Sequence, residues 1–302
     1  MAERIAFLGI GLMGAPMAAN LLAAGLPLIL WNRSTAKAEA LRPQGAAIAS
    51  SAAEALAAAD VAITMLESGP VTDAVMFQSG AAAALRPGSL VIDMASIPPA
   101  TARQHAERLK ERGIFYLDAP VSGGTAGAVA ASLAIMVGGD PRDFARAQPI
   151  FAKLGRATLV GPAGSGQLAK LSNQTIVAIT VGAVAEALLL AAASGADPAA
   201  VRHALAGGSA DSRILQGQGQ RMLERNFIPG GTAAVVAKDV ETILAAARDA
   251  GLTLPLVERV GALYRNVLAQ GDAALDHTAL LLELERINAP KRLGPGPDKI
   301  PD

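Results

Sequence analysis

Short apolar runs alternate with stretches of helical period through the first half of the chain. The runs occupy residues 5–8, 28–31, 47–49, 61–65, 90–92, 115–117, 133–137 and 158–160. Helical patterns separate most of them, and one connecting helix is expected over 99–111, with proline at its start. Repeated strand–helix units of this kind predict a mostly parallel sheet covered on both faces. From Gly164 onward the strand signal stops. Helical patterns then cover 167–194, 198–205, 234–250, 255–270 and 277–287. Between the two regimes the run Gly161-Pro162-Ala163-Gly164-Ser165-Gly166 breaks the chain. The expected organisation is an α/β domain over 1–163 and an all-helical domain over 164–288 that opens with a long interdomain helix. A tail over 289–302, rich in Pro, Gly and Lys, reads as extended or disordered, with no function assigned.

The first apolar run leads straight into Gly9-Ile10-Gly11-Leu12-Met13-Gly14, and a helical pattern follows. Strand, glycine turn and helix in that order suit a dinucleotide pyrophosphate. Gly9 makes the tight turn, Gly11 lets backbone approach phosphate, and Gly14 lets the helix pack close on the strand. The N–H groups at the helix start, from Leu12 and Met13 onward, face the anion. The fold class is therefore a Rossmann-type doubly wound α/β sheet followed by an all-α domain.

The end of the second run indicates which dinucleotide. An NAD site usually offers a carboxylate here, about 20 residues past the glycines, to hold the ribose 2′-OH. No Asp or Glu occurs from residue 4 to residue 38; Asn32, Arg33, Ser34 and Lys37 stand there instead. An amide, a guanidinium, a hydroxyl and an ammonium suit a 2′-phosphate, so NADP(H) is expected over NAD(H). A solvated helix start with Ser34 as N-cap is the plainer alternative.

Composition narrows the remaining classes. The chain has 302 residues, enough for two domains, with 52% hydrophobic and 17% charged residues and a net charge of zero. That balance gives no electrostatic reason for a nucleic-acid or anionic-membrane partner. Without cysteine there is no thiol nucleophile, disulfide or thiolate metal site. His105, His203 and His277 lack metal-ligand spacing, so no metal is expected. The first run starts too early for a signal peptide, and a cytoplasmic location is expected. The stretch 176–196 approaches membrane length, but it contains Gly182 and Glu186 and follows a polar segment. It reads as a long helix buried between domains or subunits, which favours a homodimer or homotetramer.

Three further segments carry candidate chemistry: Asp93-Met94-Ala95-Ser96, Asp118-Ala119-Pro120-Val121-Ser122-Gly123-Gly124, and Gly164-Ser165-Gly166-Gln167-Leu168-Ala169-Lys170-Leu171-Ser172-Asn173-Gln174. Ser122-Gly123-Gly124 follows a strand end and offers a hydroxyl and unobstructed N–H groups to an anion; a glycine turn capped by Ser122 is the alternative. Lys170 has Asn173 and Gln174 at i+3 and i+4, on its own side of a helix. A partly desolvated lysine there can protonate the alkoxide left by hydride addition to a carbonyl.

With the glycine motif, these segments resemble the β-hydroxyacid dehydrogenase family over about residues 4–287. That family includes 3-hydroxyisobutyrate dehydrogenases, tartronate semialdehyde reductases and glyoxylate/succinic semialdehyde reductases. The resemblance implies NADPH-dependent reduction of a small aldehyde-carboxylate, or the reverse oxidation of a 3-hydroxy acid. It implies that Ser122, Gly123 and Gly124 bind the substrate carboxylate and that Lys170 is the general acid/base. Asn173 or Gln174 orients the substrate, with Asn173 the first choice, because relatives carry Asn at the position of Gln174. Ser96 corresponds to a nicotinamide-ribose contact, Met65 and Leu66 to the nicotinamide-side loop, and Lys238 to a cofactor-binding lysine. Ser212 falls at the substrate-side helix entry. Relatives tend to place an aromatic near Gly231, so a roomier pocket is expected here. Imine reductases share the architecture but replace the lysine by Asp or Tyr. A non-catalytic dinucleotide-binding module remains the alternative from another class.

Overall fold

In the computed structural model, which describes residues 3–301, the eight apolar runs of the first half all form strands. They are β1 (Ile5–Leu8), β2 (Leu28–Trp31), β3 (Ala47–Ile48), β4 (Val61–Thr64), β5 (Leu90–Asp93), β6 (Phe115–Asp118), β8 (Leu133–Gly138) and β9 (Gly155–Gly161). The two-residue β7 (Val121–Ser122) is too short to announce itself by pattern. Helices α1 (Gly14–Ala23), α2 (Thr35–Glu39), α3 (Ala52–Ala57), α4 (Gly69–Asp73), α5 (Pro99–Lys110), α6 (Gly124–Val129) and α7 (Pro141–Phe151) alternate with them.

The strand order is β3-β2-β1-β4-β5-β6-β8-β7, with β9 beside β8. β1 to β6 are parallel throughout; β8 runs antiparallel to β6 and β7, and β9 is parallel to β8. Alternate side chains feed two cores. Ile5, Phe7, Val61, Ile63, Leu90 and Ile92 enter one, and Ala6, Leu8, Ala62 and Val91 enter the other. Burial on both faces is why these strands read as unbroken apolar runs.

The chain divides into two compact units, the first ending at Lys170 and the second beginning at Leu171. Helix α8 (Ser165–Ala193) starts in the first and continues through the second. It is long and apolar enough to span a membrane by length and composition, and 39% of its most apolar window is buried within the protein. α9 (Pro198–Leu205), α10 (Arg213–Leu223), α11 (Ala233–Asp249), α12 (Pro255–Ala269) and α13 (Leu280–Ile287) complete the second unit, around Val181, Leu188, Phe227, Tyr264 and Leu280.

α10 is absent from the helical patterns read above because Gly217, Gly219 and three glutamines interrupt its apolar period. Gly219 is needed for close packing: a Cβ there would lie 3.2 Å from Arg202 Cδ and 3.4 Å from Val184 Cγ1.

In the structure the tail makes defined contacts with the second unit. Phe227 N–H donates to Lys299 O, and Lys299 N–H donates to Arg225 O, each at 2.8 Å. Leu293 is buried, and the almost wholly buried Arg225 guanidinium holds Glu285 at 2.8–2.9 Å and pairs with Asp298 in the tail. Proline and glycine exclude a helix here, but one apolar side chain, a main-chain bridge and an ion pair still dock the segment. Arg225→Ala strips two carboxylates of their counter-charge and should cost about 3 kcal/mol. Lys299→Ala, whose docking contacts are main-chain, should cost under about 0.5 kcal/mol. Thermal or urea unfolding of the two variants checks that order.

Candidate active site

The segments singled out above follow the carboxyl ends of successive parallel strands. Gly9–Gly14 follows β1, Asn32–Lys37 follows β2, Met65 and Leu66 follow β4, Ser96 follows β5, and Ser122–Gly124 comes just after β6. β1 is flanked by β2 and β4, so the winding of the sheet reverses there. In open α/β sheets, ligands bind outside the carboxyl ends at such a switch point.

The three glycines of the first loop have different reasons. Gly9 has φ +103°, and a Cβ there would meet Met65 O at 2.3 Å. At Gly14 a Cβ would lie 1.9 Å from Gly9 O, so any side chain would push α1 off the strand. At Gly11 nothing lies within 4 Å of a Cβ position, which leaves its backbone open to an approaching group. No side chain caps α1, and no acidic residue stands in its first turn. Leu12 is 85% exposed above this loop, and Met13 occupies the N-cap position. A bare helix start beside an open glycine backbone is a donor set that fits a pyrophosphate.

At the end of β2, Asn32 Oδ1 accepts the Ile10 N–H at 2.9 Å, and its Nδ2 donates to Ser34 O at 3.0 Å. Asn32 thus ties the glycine loop to its own turn. Arg33, Ser34 and Lys37 are exposed. Ser34 stands at the N-cap position of α2, as the plainer alternative has it, and its side chain makes no capping bond. Met65 and Leu66 are half-buried, Met65 with its carbonyl under Gly9.

Two buried carboxylates end the neighbouring strands, and Asp93 and Asp118 are directly paired in register. Asp93 accepts from Thr64 Oγ1 at 2.8 Å and from Ala95 N–H at 3.1 Å. Burial pushes its carboxyl up to about 7, the nearby Asp118 charge adds to the rise, and these hydrogen bonds oppose it. Asp118 accepts Gly164 N–H at 2.7 Å and Gln167 N–H at 2.8 Å; burial raises its pKa despite those bonds. The start of α8 is therefore pinned to the end of β6. Gly166 fits there only because it lacks a side chain, since a Cβ would lie 2.5 Å from both Asp118 O and Met136 O. Lys170 is half-buried one turn further along α8.

Ser122, beyond the end of β6, is itself the last residue of the short β7, paired with Ala134. Gly123 (φ +137°) and Gly124 (φ +62°) are exposed, and Gly123 holds the N-cap position of α6. Ser96 is exposed between buried Ala95 and Ile97.

Within the second unit the two amides form a relay. Asn173 Nδ2 donates to Gln174 Oε1 at 2.9 Å, and Gln174 Nε2 donates to Asp239 Oδ2 at 2.7 Å. The exposed Lys238 lies 3.8 Å from Asp239. Ser212 caps α10, its hydroxyl accepting Leu215 N–H at 2.9 Å. A Cβ at Gly231 would reach His277 Nδ1 at 3.6 Å, an ordinary contact. No group of three potential metal ligands occurs among the described residues. Reasoning from sequence gave no part to Asp118, Gln167 or Asp239 as supports; an acid closing an apolar strand, and an amide in a glycine-rich helix entry, were the available signals.

Because the folded pKa of Asp93 lies above the ordinary carboxyl value, its contribution to stability is fully present only below pH 4. It is lost as pH rises through 7. Asp93→Asn should therefore stabilise the protein at pH 8 by on the order of 2 kcal/mol. The gain should grow between pH 4 and 7 and stay flat above, as thermal melts across that range will read.

Residues 4–162 match the NAD binding domain of 6-phosphogluconate dehydrogenase, and residues 164–284 match the NAD-binding domain of NADP-dependent 3-hydroxyisobutyrate dehydrogenase. Among similar proteins, 2-hydroxy-3-oxopropionate reductase of Escherichia coli is 42% identical over 284 residues, 93% of this chain and 97% of that protein. NAD-dependent L-serine dehydrogenase of Pseudomonas aeruginosa is 35% identical over 287 residues, 92% of this chain and 96% of that protein. The solved structure of Mycobacterium tuberculosis 3-hydroxyisobutyrate dehydrogenase with L-serine has a TM-score of 0.86 at 35% identity, covering 94% of this chain and 99% of that one. The chain belongs to the 3-hydroxyisobutyrate dehydrogenase group of the β-hydroxyacid dehydrogenase family, and is an NAD(P)-dependent oxidoreductase acting on CH–OH groups.

Proposed function

We propose that this enzyme is an NADP(H)-preferring reductase of a small aldehyde-carboxylate, able to run the reverse oxidation of the 3-hydroxy acid. The observation that carries the reading is the set of chemistries gathered at the carboxyl edge of one sheet. An open glycine backbone, an acid-free Arg33–Lys37 turn and the Ser122-Gly123-Gly124 turn all lie there, and Asp118 pins the lysine-bearing helix to the same edge. The reductase relative supports the substrate class, since 2-hydroxy-3-oxopropionate carries both an aldehyde and a carboxylate.

The Ser122 hydroxyl and the Gly123 and Gly124 N–H groups receive the substrate carboxylate, with Ser212 as a further substrate-side residue. Bound NADPH supplies the hydride. Lys170 Nζ gives its proton to the carbonyl oxygen during reduction and takes one from the hydroxyl during oxidation. Asn173 orients the carbonyl, and Gln174, held by Asp239, fixes Asn173. Gly9, Gly11, Leu12, Met13 and Gly14 receive the pyrophosphate. Arg33, Ser34 and Lys37, steadied by Asn32, receive the 2′-phosphate. Met65, Leu66 and Ser96 flank the nicotinamide end, and Lys238 adds a cation for the cofactor. A cytoplasmic homodimer or homotetramer goes with this reading; Ile176 and Leu190, 66% and 68% exposed on α8, offer apolar surface to a second copy.

Initial rates with NADPH and NADH on glyoxylate, succinic semialdehyde, tartronate semialdehyde, methylmalonate semialdehyde and a cyclic imine test the reading. Turnover of an aldehyde-acid is expected, with Lys170→Ala lowering kcat by about 10²–10⁴. Turnover of the imine alone, or full activity without Lys170, overturns it. Arg33→Asp should reduce the preference for NADPH over NADH by about tenfold or more; unchanged preference removes the 2′-phosphate assignment.

A further inference from the structure

Gln167 is 1% exposed, and both ends of its side-chain amide and its main-chain N–H are engaged. Its side-chain Nε2 donates to Ala95 O at 2.8 Å, and its Oε1 accepts Ile97 N–H at 3.1 Å. Its own N–H donates to Asp118 Oδ2. One primary amide therefore imitates a neighbouring strand: it pairs with the carbonyl before Ser96 and the N–H after it, and leaves Ser96 itself outward and exposed. Gln167 also lies three residues before Lys170, hence on an adjacent part of the same helix face.

We propose that Gln167 is a positioning residue whose amide locks the loop bearing Ser96 to the helical turn bearing Lys170, so that cofactor loop and proton donor keep one spacing. This deepens the active-site reading above and rests on it. The residue type follows from the geometry. Asparagine is too short to span the same distance, methionine fills the volume with no hydrogen bond, and an ionised glutamate has no donor for Ala95 O. A protonated glutamate has one, and burial raises its pKa. The titratable and charged groups around the amide include Asp118 under its N–H, Asp93 bonded to Ala95 N–H, Arg103 against Gly164, and Lys170 on the same helix.

The test compares Gln167→Met and Gln167→Glu with wild type, by steady-state rates from pH 6 to 8.5, melting temperature, and hydrogen exchange of the cofactor-free protein. Gln167→Met should lower kcat by about tenfold to hundredfold, the scale of a misplacement near 1 Å. KM for the aldehyde-acid should move far less, because the Ser122 turn is untouched. Amide exchange at Ile97 should quicken. Gln167→Glu should approach wild-type kcat at pH 6 and lose it as pH rises; wild type over the same range controls for Asp93. Glutamate tracking wild type at every pH, a lowered melting temperature with kcat unchanged, or a loss confined to KM would each overturn the proposal. Should wild type reduce no aldehyde-acid, the active-site reading fails instead. The exchange arm then decides alone: faster exchange at Ile97 in Gln167→Met supports the brace, and unchanged exchange overturns it.

Discussion

Asp118 is fully buried at the end of β6, and its two carboxylate oxygens take the Gly164 and Gln167 N–H groups. Those donors belong to the entry and first turn of α8, where a helix has main-chain N–H groups without partners of its own. The carboxylate supplies what a capping side chain would, from a strand 46 residues upstream. The glycines follow from that choice. A residue larger than Gly166 would strike the carbonyls of Asp118 and Met136, and Gly138 faces the same crowding from Asp118 Oδ1 at 2.6 Å. The first turn of the lysine-bearing helix is thus seated on the sheet by a buried carboxyl group and by two missing side chains.

The parallel sheet was plain in the sequence because strands buried on both faces carry no polar interruption. β9 was half seen, since its residues alternate between half-buried and exposed and its first residues are Gly155 and Arg156. β7 was missed because two residues cannot show a period. α10 was missed because two glycines and three glutamines break its apolar stripe, Gly219 serving close packing against α8 and α9. The docked tail was half legible: its proline and glycine excluded a helix, but its attachment depends on Arg225, more than 70 residues away.

The site divides in the same way. Groups proposed to meet a ligand stood in local motifs, where residue type alone pointed to the chemistry. Groups that hold those motifs in place were illegible, because their partners are remote in sequence: Gln167 with Ala95, Asp118 with Gly164, Gln174 with Asp239. Asn32 shows the limit from the other side. The sequence groups it with Arg33, Ser34 and Lys37 around a 2′-phosphate, yet both ends of its amide are engaged in bracing the glycine loop and its own turn, a role that only the hydrogen-bond partners reveal.

The position of the α8 anchor also bears on how the chain is made. Synthesis proceeds from the N-terminus, and domains generally fold as they emerge. Every strand of the sheet, and with it Asp118, precedes Ser165. The first turn of α8 is therefore translated when its docking point on the sheet already exists, whereas Phe227, Tyr264 and Leu280, which cover Val181 and Leu188 further along the helix, follow it in the chain. The order of elements along the chain thus fixes the start of the helix early and leaves its apolar length open to chaperones, to aggregation or to a membrane until residues 215–284 have been made.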